Sequence, residues 1–391
     1  MKQLLILDAN QRSALAVTRS LGKQGLSIIT ADETPSSLAG SSRFSSRYQN
    51  YPSPSTNPKE FIATIAELAN TENLYLILPM TELTSTLLLR YKDMLPDHTQ
   101  LPLADIATID SLSNKCELMK LAQTLGVPIP RTWFAENPEN LPVMLEDLSY
   151  PIVLKPGKSW VQTKKVWLHT SVRFAESAQD AHTILATDPA FQAHEFMLQE
   201  CVPGQGQGVF SIYNNGEPIA FFSHKRLREK PPRGGVSVLS ESTEVNPILQ
   251  KHAESLLNAV NWHGAAMVEF KVAKDGTPYL MEINTRFWGS LQLAIDAGVD
   301  FPWLLYQMTC SQPPKPITHY KTGIRLRWLL GDLDNLYLTL KDKGSTIGNK
   351  LQAVACFCTP SPFKTKHEVN RWHDMRPFFW ECRQYLKNIL K

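Results

Sequence analysis

Two glutamates and an asparagine fall on what reads as one β-hairpin. The segment Ala266-Met267-Val268-Glu269-Phe270-Lys271-Val272 leads into Lys274-Asp275-Gly276-Thr277 and then Pro278-Tyr279-Leu280-Met281-Glu282-Ile283-Asn284. Asp-Gly between alternating runs is a strong hairpin signal. With Asp275 and Gly276 as a two-residue loop, Lys274 faces Thr277, and the pairing that follows sets Glu269 directly opposite Glu282. Asn284 shares their face because strand side chains alternate, while Val268, Phe270, Val272, Tyr279, Met281 and Ile283 form an apolar reverse face. Opposed carboxylates repel unless a cation or a shared proton relieves them. Hard oxygen donors of this kind suit Mg²⁺, with Mn²⁺ as an acceptable substitute. The competing reading is a solvated hairpin whose acids are balanced by Lys271 or Lys274, or a longer loop that changes the register.

Cationic residues cluster elsewhere in the chain. His224-Lys225-Arg226-Leu227-Arg228 reads as a strand with His224, Arg226 and Arg228 on one face, and Pro231-Pro232-Arg233-Gly234-Gly235 follows as a turn. A charge run like this is usually a solvated face, and Arg228 and Lys230 read as such; planar Arg is nevertheless suited to phosphate oxygens. Arg286 follows the hairpin with no obvious carboxylate partner local in the sequence, and Gly289-Ser290 opens a helix. Lys115 sits in a helical first turn, which disfavours a cation unless an anion lies near it. His263 reads as a packed or exposed histidine rather than a catalytic base, and Phe287 and Trp288 as core or pocket wall.

These residues must be held by several elements. Leu4 to Leu7 reads as a buried strand, Ala14, Val17, Thr18 and Leu21 as a helix face, Asn57-Pro58 as the start of a helix to about Ala69, and Leu74 to Leu78 as a second buried strand. A doubly wound α/β domain over residues 1–110 follows. Its first βα loop, Asp8-Ala9-Asn10-Gln11-Arg12-Ser13, has no glycine, so a dinucleotide fingerprint is absent. A second unit spans 111–310, with strands at 152–155, 166–168 and 196–200, a helix near 178–186, and a mobile turn at Gly204-Gln205-Gly206-Gln207-Gly208. Gln312-Pro313-Pro314-Lys315-Pro316 reads as a linker, and 311–391 as an extension of unknown role.

The hairpin followed by Thr285-Arg286-Phe287-Trp288-Gly289-Ser290 resembles the ATP-grasp superfamily, in particular its carboxylate–amine ligase branch, over about residues 110–305. The resemblance implies an α/β and α+β chain: an N-terminal doubly wound domain, a two-lobed ATP-grasp module with a lid at about 155–200, and a C-terminal extension. It implies that Lys115 and Lys155 contact ATP phosphates, and that Glu200, Cys201 and Val202 at the hinge receive adenine. Glu269, Glu282 and Asn284 would hold Mg²⁺, with Arg286, Arg226 and Lys225 acting on substrate or acyl-phosphate. Gln205 and Gln207 stand where many relatives place a ribose-binding acid. The lid loop Gly157-Lys158-Ser159-Trp160 is poorer in glycine than many, with Lys164 and Lys165 following it.

Composition narrows the remaining classes. The chain has 391 residues, 43% hydrophobic and 20% charged, with 40 Lys plus Arg against 37 Asp plus Glu, which leaves no nucleic-acid-binding excess. The six cysteines show no zinc-like spacing and read as reduced thiols. No stretch has membrane-spanning length, so a cytoplasmic protein without a membrane partner is expected, and a homodimer is compatible with the sequence. The expected reaction is ATP-dependent joining of a small carboxylate to a small amine through an acyl-phosphate, with release of ADP and phosphate. A small-molecule kinase and a non-catalytic ATP-binding regulator are the alternatives.

Overall fold

The computed structural model describes residues 2–135, 145–163, 166–232, 235–311, 314–342, 344–358 and 365–389. Lys164, Lys165, Arg233, Gly234, Gln312 and Pro313 lie outside them. Strands β1 (Gln3–Ile6), β2 (Ser27–Asp32), β3 (Arg47–Asn50) and β4 (Leu74–Leu78) form a parallel sheet in the order β3-β2-β1-β4. From Leu4 onward the first strand is apolar and buried because both of its faces are covered. Leu4 and Ile6 pack with Ala14, Val17 and Leu21 of helix Arg12–Lys23, whereas Leu5 and Leu7 pack with Phe61, Ile62 and Ile65 of helix Pro58–Thr71. The expected α/β opening is present.

The next strands are β5 (Thr132–Phe134), β6 (Ile152–Pro156), β7 (Trp160–Gln162), β8 (Trp167–His169), β9 (Arg173–Ala175) and β10 (Phe196–Glu200). Four of them form an antiparallel sheet in the order β5-β10-β6-β9, and β7 pairs β8 as a separate hairpin. That hairpin lies on the N-terminal domain: Trp167 joins the core built by Phe61, Leu83 and Leu87, and its N–H donates to the Ser55 carbonyl at 2.8 Å.

Strands β11 (Gly204–Asn214), β12 (Glu217–Lys230), β13 (Val236–Thr243), β14 (Gly264–Ala273), β15 (Pro278–Asn284), β16 (Arg325–Arg327) and β17 (Thr365–His367) make the large sheet, in the order β15-β14-β11-β12-β13-β16-β17. Residues 204–208 are therefore strand and not a mobile turn. Gly204 pairs with Ala273, and a Cβ at this position would meet the Val272 carbonyl oxygen at 2.3 Å, so glycine here permits close strand approach. Segment 311–391 supplies β16 and β17 and thus completes the large sheet. Val369 and Leu326 share one core with Leu4, Val17, Phe210 and Phe301, which joins the N-terminal domain, the sheet and the C-terminal segment.

Candidate functional site

The face of the large sheet that packs on this shared core turns into a cavity floor further along its strands. On β12 the alternating row runs Phe222, buried in the core, then His224, then Arg226 in the cavity; on β14 it runs Met267, Glu269 and Lys271. The cavity has a volume of about 670 Å³. Its lining includes Lys115, Lys155, Arg226, Glu269, Glu282, Asn284 and Arg286, seven of the residues singled out from the sequence.

Glu269 and Glu282 are directly paired, as expected, but by a different route. Near the turn Val272 faces Pro278 and Phe270 faces Leu280, with the Ala273 N–H bonded to the Thr277 carbonyl, so the loop is Lys274-Asp275-Gly276 with Gly276 at φ 88°. A bulge between that segment and the Glu269 pair inserts one extra residue on β15 and restores the expected pairing there. Between loop and bulge the two faces are exchanged. Leu280 is buried in the core, while Met281, expected on the reverse face, joins the cavity wall next to Lys155 Nζ, 4.0 Å from its Sδ.

Protein cations already meet these acids. Arg226 donates to Glu269 at 2.8 Å and to Glu229 at 3.1 Å. Lys115 Nζ lies 3.7 Å from Glu282, and the Asn284 amide donates to Glu282 at 3.1 Å. The pair is split in consequence. Burial raises the pKa of Glu269, which Arg226 opposes and the Glu282 charge reinforces. Burial also acts upward on Glu282, but Lys115, Asn284, Lys155 and Arg286 together outweigh it and hold this carboxyl below its ordinary value. Lys155, almost fully buried at the end of β6, is pushed down to about 8 by desolvation.

Lys115 starts helix Lys115–Thr124, which Asn114 caps by accepting from the Cys116 and Glu117 N–H groups. Its backbone N–H donates to the Gly157 carbonyl at 2.6 Å, tying this helix to the lid loop, and its Nζ donates to Ser159. Arg286 lines the cavity and donates to the Phe287 carbonyl at 3.1 Å. Trp288 is buried and lines the wall. His224 is fully desolvated, which pushes its pKa down to about 3; it stacks on Phe210 and shares a 2.9 Å hydrogen bond with Ser290.

Three expectations shift position. Lys225 leaves the site: alternation turns it to the opposite face, where it pairs Glu241 at 2.8 Å in a row that continues to Arg325. Arg228 and Lys230 are not simply solvated. Irregular pairing between β12 and β13 turns Arg228 onto buried Asp332 at 2.6 Å, and Lys230 binds Asp334. Glu200 ends β10, and Cys201 and Val202 lie on the link from it to β11, yet none of the three is among the cavity-lining residues, although Gly204 is. Lys158 of the lid loop is engaged by Asp110 at 3.0 Å.

Two residues, Arg12 in the cavity wall and Glu82 behind it, are not singled out by the sequence. Arg12 reaches the cavity from the N-terminal domain, held by Glu368 and stacked at 4.1 Å on Trp328. Glu82 opens helix Glu82–Arg90 and bonds Ser159; burial raises its pKa, with Lys115 and Arg286 opposing that rise. Arg12 stands in the sequence only as part of a glycine-free βα loop and Glu82 only as a residue after the Leu74–Leu78 strand, so it is the packing of the N-terminal segment on the large sheet that brings them in.

Residues 192–331, which contain the hinge and both halves of the hairpin, match a family described as ATP-grasp in the biosynthetic pathway with Ter operon. No curated protein matches the sequence. Among solved structures, the biotin carboxylase domain dimer of a 2-oxoglutarate carboxylase from Hydrogenobacter thermophilus, in complex with MgADP, ADP and bicarbonate, aligns with TM-score 0.65 at 13% identity over 83% of this chain and 73% of that one. An N5-carboxyaminoimidazole ribonucleotide synthetase in its ADP complex aligns with TM-score 0.64 at 17% identity over 91% and 96%. An L-amino acid ligase from Bacillus licheniformis gives 0.58 at 15% over 81% and 75%. Over most of its length the chain shares the fold of these solved structures, and residues 192–331 match the ATP-grasp family.

Proposed function

We propose that this chain is an ATP-dependent ligase that activates a small carboxylate as its acyl-phosphate and transfers the acyl group to an amine, releasing ADP and phosphate. The observation that carries the reading is one cavity in which Lys115 and Lys155 face the opposed Glu269–Glu282 pair while Arg226 and Arg286 line the same space. The aligned structures support the reading, since they include an L-amino acid ligase and a biotin carboxylase domain in complex with MgADP and bicarbonate.

Two carboxylates and an amide oxygen fit a divalent cation that takes its remaining ligands from phosphate and water. Glu269, Glu282 and Asn284 would hold Mg²⁺, or Mn²⁺, which when bound neutralises charge on the phosphates. Lys155 and Lys115 bind phosphate oxygens and relieve their own unfavourable burial in doing so. Arg226 moves from Glu269 to the transferred phosphate, and Arg286 orients the substrate carboxylate and stabilises the tetrahedral oxyanion. The lid keeps water from the acyl-phosphate. Adenine lies toward the Glu200–Val202 hinge.

A phosphate-release screen over pairs of carboxylates and amines, with Mg-ATP, tests this. Release that requires both partners and yields an amide is expected. Release with a hydroxyl compound alone and a phosphorylated product would assign a kinase, and no substrate-dependent ADP formation would remove catalysis.

A further inference from the structure

We propose that helix Arg376–Ile389, together with the turn before it, docks this protein on an anionic lipid surface. The helix is tied down on one side only. Phe378 and Trp380 pack against the shared core, the Trp380 indole donates to Ser36 at 3.0 Å, Glu381 accepts from the Trp328 indole at 2.7 Å, and Tyr385 donates to Asp334. At 3.6 residues per turn Phe379, Cys382, Leu386 and Ile389 fall on one outward arc, with Arg376, Arg383 and Lys387 on the arc beside it.

Phe379, Leu386 and Ile389 are 64%, 59% and 63% exposed, and Trp372 in the preceding turn is 96% exposed. Arg376, Arg383 and Lys387 are exposed and make no ion pair among the described residues, while the acid of the same helix, Glu381, faces inward. Arg43 adds an exposed cation at the same turn, its backbone N–H bonded to Asp374 at 2.9 Å.

Uncompensated positive charge beside exposed aromatic and aliphatic groups is complementary to lipid phosphates above acyl chains. Trp372 suits the headgroup region, where an amphipathic ring sits. A second copy fits less well, because a two-fold contact sets each patch against its own image and brings the cations together. The absence of a spanning segment in the sequence leaves a surface-lying helix open, and no described helix is long and apolar enough to cross a membrane.

Vesicle flotation of the full chain is the test, with vesicles of phosphatidylcholine alone and of equal parts phosphatidylcholine and phosphatidylglycerol. Flotation is expected with the anionic vesicles only, weakening at about 0.5 M salt, where the screening length is short. Arg383→Glu with Lys387→Glu, and separately Phe379→Ser with Leu386→Ser, should each lower partitioning about tenfold or more while leaving circular dichroism and melting temperature in place. Wild-type protein that stays with the pellet would overturn the proposal. So would folded variants that float as wild type does, or a wild-type dimer that these substitutions split, which would make the surface an interface between copies.

Discussion

Lys155 is the group whose protonation the site controls most directly. Its pKa of about 8 lies below the lysine value of 10.5, so in the ligand-free protein the unfolded chain binds more protons between those values, and stability rises with pH across that window. Mg-ATP affinity has the opposite slope, because a neutral amine no longer attracts phosphate. Titration calorimetry should show Kd rising about tenfold per pH unit above 8, a slope that Lys155→Arg flattens and Lys155→Ala replaces with uniformly weak binding. The two glutamates should differ as well. Glu282 is held below its normal pKa, so it contributes stability above about pH 4.5 that is lost as pH falls through its folded value, and Glu282→Gln should lower the ligand-free melting temperature. Glu269 is raised, and Arg226 keeps Glu229 when it is lost, so Glu269→Gln should leave that temperature level or higher. Both variants should lose most of the thermal shift that Mg-ATP gives the wild type. Arg286→Ala, which removes a group aimed at substrate, should keep the ATP-induced shift but lose turnover.

At the scale of elements, the hairpin shows what a sequence can and cannot reveal. Alternation in β14 is regular, so Val268, Phe270 and Glu269 were readable as core, core and site. The Asp-Gly signal located the turn but not its length, because a three-residue loop with a left-handed glycine uses the same dipeptide. The bulge that compensates has no signature of its own: it exists because Leu280 fits the core and Glu282 must still reach Glu269. For Lys225 alternation with Arg226 already gave the opposite face, and what the sequence did not show was its partner, Glu241, on a strand with no local marker. Leu280→Ala should therefore destabilise the protein by about 2–5 kcal/mol, and Met281→Ala by much less. Strict alternation predicts the reverse order. Urea denaturation of the two variants separates the two geometries, and an equal loss in both would remove the bulge from the argument.

The whole molecule is closed by a contact between its two ends that no motif announces. Arg19, on the first helix, is buried to 2% exposure. It donates to Asp374 at 2.8 Å and to the carbonyls of Glu368, Val369 and Asp374 at 2.8, 2.7 and 2.9 Å. Asp374 in turn accepts from the Ser42 hydroxyl at 2.7 Å and the Arg43 N–H at 2.9 Å. A buried guanidinium keeps its charge, so its burial is costly unless such acceptors surround it. The sequence showed an ordinary helical arginine and a C-terminal stretch without a motif, because a partner 355 residues away leaves no periodic trace. The cluster also bears on the cavity, since Glu368 beside it holds Arg12 at the cavity wall. Asp374→Ala leaves Arg19 charged and short of its partner, so it should cost about 3–5 kcal/mol in a urea titration. Arg19→Met together with Asp374→Ala removes the stranded charge and should recover part of that loss. If the C-terminal segment were a passenger on an independent module, Asp374→Ala would change only a minor early transition. Because β16, β17 and Val369 belong to the shared sheet and core, one cooperative unfolding transition should move as a whole, and the Arg12 wall should loosen before it, visible as faster amide exchange at residues 365–374.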